Sequence, residues 1–137
     1  MKKIFLILCL TMFSVVLHAQ PIKVVYHITE GIESAAGALS NITNHLNADS
    51  TVKIVVVSNG AGIDFLLQDA KDIKGREFSS AVSTLVDRGV DFRVCQNTLN
   101  SRKIAPDRLL MEAKLVIAGM SEVARLQARE GYVYIKP

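Results

Sequence analysis

Cys95 is the residue on which a chemical reading of this sequence turns. It ends Val90–Cys95 (VDFRVC), which reads as a β-strand, and a polar stretch, Gln96 to Ser101, follows and reads as a loop. A thiol attacks only as thiolate, so it needs a cation, a hydrogen-bond donor or a helix N-terminus nearby. Arg93, Arg102 and Lys103 are close in sequence, and Arg93, two residues back, shares the strand face of Cys95. The amides and hydroxyls of Gln96–Ser101 are further candidates. His27, near the end of the first strand, is the natural partner as base or as donor to a thiolate. The plain alternatives are a strand cysteine packed as a small hydrophobe and a histidine fixed by backbone hydrogen bonds.

Other constellations carry less. One cysteine and two histidines beyond residue 19 offer no ligand pair at a recognisable spacing, so no metal is expected. Asn59–Gly60–Ala61–Gly62 lacks a third glycine and follows the second strand, not the first. It reads as a tight strand-to-helix turn, and no cofactor is expected. No serine stands in an elbow motif.

The N-terminus is of another kind. Lys2 and Lys3 precede an apolar run from Ile4 to Leu17, and Leu17–His18–Ala19 suits a cleavage site, so residues 1–19 read as a secretory signal peptide. The run is short for a bilayer-spanning helix, and no stable membrane insertion is expected after cleavage. Residues 20–137 then form one domain, periplasmic or secreted. Of 16 basic and 13 acidic residues two lysines leave with the leader, and 14 against 13 gives no basic surplus for nucleic acid. Cys9 leaves too, so Cys95 stands alone in an oxidising compartment and no internal disulfide is possible.

Elements that could position these groups are readable. Lys23–Ile28, Val52–Ser58, Val90–Cys95 and Lys114–Ala118 are short apolar runs suited to buried parallel strands, and Tyr132–Ile135 is a brief fifth at an edge. Helical spacing fills Glu33–Leu46, Phe78–Val86, Pro106–Glu112 and Ser121–Glu130, and Ile63–Ala70 reads as a short helix or turn. Alternation of strand and helix means a five-stranded parallel sheet with helices on both faces. The expected strand order is 2-1-3-4-5, which would set His27 and Cys95 beside one crevice at the carboxyl ends of neighbouring strands.

VVYHI at 24–28, NITNHLN at 41–47, VVVSNGAGIDFLL at 55–67, VDFRVCQNTL at 90–99 and KLVIAG at 114–119 occur in that order. Together they resemble the DsrE/DsrF-like family of small sulfur-transfer proteins, over essentially all of residues 20–137. The resemblance implies a flavodoxin-like α/β fold and a homo-oligomer, trimer or hexamer. It also implies a cysteine after the third strand that carries sulfur as a persulfide, which maps onto Cys95. The glycine turn maps onto Asn59–Gly60 beside the same pocket. The reading is an exported protein handling sulfane sulfur between donor and acceptor thiols or proteins. Cys95 and His27 would be catalytic, with Asn59, Gly60, Arg93 and Asn97 around the sulfur. A sulfurtransferase and a sulfur carrier are both open. Two rivals stand beside it: a non-catalytic small-ligand or oligomeric module, and a thiol redox sensor.

Overall fold

The computed structural model describes residues 20–137. The signal-peptide reading falls on residues 1–19 and lies outside them. Five strands alternate with helices: β1 (Lys23–Ile28), α1 (Ile32–Ala48), β2 (Lys53–Ser58), a 3-10 helix (Gly60–Leu66), α2 (Phe78–Asp87), β3 (Asp91–Cys95), α3 (Gln96–Arg102), a 3-10 turn (Pro106–Arg108), β4 (Ala113–Val116), α4 (Gly119–Glu130) and β5 (Val133–Ile135). All pairings between strands of the sheet are parallel, so the class is the expected α/β, flavodoxin-like one. Among the described residues no helix is long and apolar enough to cross a membrane.

The strand order corrects the expectation. It is β4-β3-β2-β1-β5 rather than 2-1-3-4-5, so β2 stands between β1 and β3. The cause lies in the apolar faces of β2. Ile54 and Val56 enter the main core, while Val55 and Val57 face a second one, so both sides of this strand need cover. A central place supplies that cover; an edge place would leave part of it wet. The first three crossovers step the same way across the sheet, and right-handed connections put their helices on one face. Only the return from β4 to β5 reverses, and it sends α4 to the other face.

The two faces are unequal. Apolar residues of α1, the first 3-10 helix, α2 and α3 bury Val24, Tyr26, Ile28, Ile54, Val56, Phe92 and Val94. Behind the sheet α4 covers Val25, Val55 and Val57 with Val123 and Leu126, each worth about 2 kcal/mol of apolar burial.

Three expectations about elements need amending. The stretch after Cys95 is not a loop: β3 runs straight into α3, whose first residue is Gln96. The Pro106 segment makes only a 3-10 turn. The last helix starts at Gly119 with Ala118 at its N-cap, two residues before Ser121. Its end at Gly131, in left-handed backbone with φ of 73°, is as expected. The fifth strand is an edge strand, beside β1.

Candidate functional site

The chain leaves β3 for α3 on one face and leaves β4 for α4 on the other. Such a reversal between neighbouring strands opens a crevice at their carboxyl ends, where α/β proteins bind ligands. Cys95 is the last residue of β3 and pairs with Val116, the last of β4. Its side chain lies on the α4 face, in line with Arg93, and is 6% exposed.

The groups that favour its thiolate are the Gly119 amide opening α4 and the hydroxyl and amide of Thr98 in the first turn of α3. Burial by itself would push the thiol up. These hydrogen bonds, Gly119 foremost, outweigh it and hold the thiol below its ordinary value. Two further bonds set the donors in place. The Gly60 amide donates to Thr98 Oγ1 at 3.1 Å, and the Asn97 amide donates to the Ile117 carbonyl at 3.3 Å.

Gly119 fits because it lacks a side chain. A Cβ there would stand 3.3 Å from Cys95 Cβ and 3.4 Å from Asn59 Cβ, so α4 begins wedged between these two residues. Gly60 has φ of +60°, and a Cβ on Gly62 would meet the Ile28 carbonyl oxygen at 2.1 Å. The glycines of this turn therefore serve backbone geometry, the alternative weighed against a dinucleotide loop.

His27 lies on the same face and at the same end of the sheet as Cys95, but β2 separates the two strands. It is 5% exposed. Its Nε2 meets Asn59 Oδ1 at 2.6 Å and its Nδ1 meets the Tyr134 hydroxyl at 3.1 Å. An amide oxygen only accepts, so Nε2 carries the proton and Tyr134 donates to Nδ1. Both ring nitrogens are thus used, and His27 reaches the crevice through Asn59. With Oδ1 taken, the Asn59 amide group keeps its N–H donors for the space beside Gly119.

Arg93 does not turn to the sulfur. It bonds Asp91 Oδ2 at 2.6 Å and 3.0 Å and also bonds Glu122 on α4. Arg102, another cation considered for the thiol, pairs with Asp64 at 2.6 Å and donates to the Gly60 carbonyl. The structure thus gathers Cys95, Asn59, Gly60 and Asn97 at one point, with His27 one residue behind and Arg93 turned aside. The Thr98 hydroxyl falls within the Gln96–Ser101 stretch expected to supply donors, whereas Gly119 escaped sequence reasoning. A glycine just after the adjacent strand was the available signal.

A doubly wound sheet with an acidified thiol at its reversal point defines the class, and comparison with known proteins gives the family. The sequence matches the DsrE/DsrF-like family over residues 23–137, and the chain belongs to that family. A search of curated protein sequences finds no match. Among solved structures, the chain resembles the protein of unknown function MTH1491 from Methanobacterium thermoautotrophicum. The identity is 35% and the TM-score 0.76, covering 85% of this chain and 99% of that one. It also shares its fold with the ychN protein from E. coli, at 14% identity and a TM-score of 0.70, covering 84% and 97%.

Proposed function

We propose that this protein carries sulfane sulfur on Cys95, in keeping with the sulfur-relay role the family suggests. The Cys95 thiolate attacks the terminal sulfur of a donor persulfide. A new S–S bond forms, the donor S–S bond breaks, and the donor leaves as thiolate. An acceptor thiolate then attacks the outer sulfur of Cys95–S–SH, takes it as its own persulfide, and returns Cys95 to thiolate. No net oxidant is consumed in either step.

One observation carries this reading: Cys95 ends β3 hard against the start of α4, where a Cβ on Gly119 would stand 3.3 Å from its own, and donors of Gly119 and Thr98 lower the thiol there. A neutral thiol is a weak acceptor, so hydrogen-bond donors at this point favour an anion. The S–S bond also moves the transferable atom about 2 Å outward from the 6%-exposed position of Cys95. The Asn59 amide would face that outer sulfur. Native mass after polysulfide treatment tests the proposal. A gain of about 32 Da per sulfur, absent in Cys95→Ser, is expected. A Cys95 that neither gains sulfur nor reacts with an alkylating agent at neutral pH would overturn it.

Self-association belongs to the same proposal. β4 is an edge strand, and Leu115, Ile117 and Met120 on and beyond it are 41%, 78% and 59% exposed. Uncovered apolar edges of this kind favour pairing with a second copy. Sedimentation should give a trimer or hexamer, and Ile117→Lys should weaken it; a monomer at high concentration removes this part. Export rests on residues 1–19 and is tested by cell fractionation and by the N-terminal sequence of the mature protein.

A further inference from the structure

We propose that the ion pair between Arg93 on β3 and Glu122 on α4 is a positioning device that seats the start of α4, at Gly119, against Cys95. The inference deepens the sulfur-carrier reading and rests on it for its biological sense.

The geometry makes the case. Gly119 and Glu122 are one helical turn apart, and the Glu122 amide closes that turn on the Ala118 carbonyl at 3.0 Å. Whatever fixes Glu122 therefore fixes the amide that opens the helix. Arg93 does so from the strand that bears the thiol, two residues before Cys95 and on the same face. The pair is largely enclosed, with Arg93 19% and Glu122 12% exposed. Arg93 is itself braced by Asp91, which Lys114 of β4 holds at 2.9 Å. On the outer side Arg125 grips Glu122 at 2.8 Å. This ladder joins β4, β3 and α4, the three elements that form the crevice. Apolar packing alone holds α4 weakly, through Val123 and Leu126.

The other ionisable groups around the thiol are accounted for. Arg102 of α3 is paired with Asp64, and His27 of β1 is bonded to Asn59 and Tyr134. Neither pair joins α4 to β3.

Glu122→Gln separates positioning from a through-space effect by the sign of its result. Removing a negative charge near a thiol favours the thiolate, so direct electrostatics lowers the Cys95 titration midpoint. Loss of the clamp frees the Gly119 amide and raises it. The midpoint is read by NMR from the Cys95 Cβ shift in the full mature chain, which needs neither sulfur loading nor reagent access. A rise of about one pH unit is expected, equal to about tenfold less thiolate near neutrality. Arg93→Lys serves as second variant, because it keeps the charge but cannot fork between Asp91 and Glu122. It should raise the midpoint too, and the Gly119 amide should exchange faster in both. A midpoint that stays put or falls in the folded variants overturns the positioning role. Failure of wild-type protein to take up sulfur overturns the carrier reading instead.

Discussion

Thr98 Oγ1 accepts the Gly60 amide at 3.1 Å, and that bond decides where the hydroxyl proton goes. With one lone pair occupied from the β2 side, the Thr98 O–H is free to turn toward Cys95, whose thiol it helps to lower. The turn after β2 thus acts on a thiol at the end of β3 without touching it.

Thr98→Val keeps the shape of this buried side chain and removes the donor. The pH midpoint for alkylation of Cys95 should rise by about half to one unit, with the high-pH plateau retained. An unchanged midpoint would mean that the backbone amides alone govern the sulfur.

Gly62→Ala should be among the most damaging single changes in the chain. The added methyl would lie 2.1 Å from the Ile28 carbonyl oxygen, and backbone must move to admit it. A loss of about 2 to 4 kcal/mol is expected by urea denaturation. A loss under about 0.5 kcal/mol, the range of ordinary surface changes, would mean the turn relaxes freely.

His27→Phe separates orientation from proton transfer. It leaves Asn59 Oδ1 and the Tyr134 hydroxyl without their ring partner, at a cost of about 1 to 3 kcal/mol. If His27 acts by orienting Asn59, the thiol midpoint stays at its wild-type value while the persulfide on Cys95 decays faster. A midpoint displaced as far as in Thr98→Val would instead make His27 a direct partner of the sulfur.

Acid should loosen α4 first. Hydrogen bonds from Arg125 and then Arg93 outweigh burial and hold Glu122 at about 2, below its ordinary 4.5. A carboxyl lowered on folding contributes its full stabilisation above the unfolded value and loses it as pH falls through the folded one. The contribution therefore declines from about 4.5 towards about 2. Asp91 is also lowered: burial opposes the shift, but the bonds from Arg93 and Lys114 prevail. Denaturation midpoints across this range should fall in wild type and fall less in Glu122→Gln.

Much of this fold was legible because its strands are apolar runs and its longer helices carry regular apolar spacing. VKIVVVS announced a strand buried on both sides, and the same fact, pressed further, places β2 inside the sheet rather than at its edge. The strand order was missed because crossover direction is set by which faces need cover, a property of the whole set of helices. α3 was hidden by composition: Gln96–Arg102 has one apolar residue, Leu99, and no periodicity to read. Cys95 was found from its type and place. Donors from Gln96–Ser101 were expected, but Gly119 was not, since it is distant in sequence and its amide carries no side-chain signature. Arg93 was placed on the correct face, but two carboxylates, one on another element, claim its guanidinium.

The thin second face has a consequence for kinetics. Cys95 is sheltered by the layer with the least apolar adhesion, so partial detachment of that layer costs far less than unfolding the molecule. Entry of bulky reagents to the sulfur is then governed by a local opening equilibrium, not by the static width of a cleft. Their reaction rates should track the hydrogen exchange of one helix, while the opposite side of the sheet stays protected.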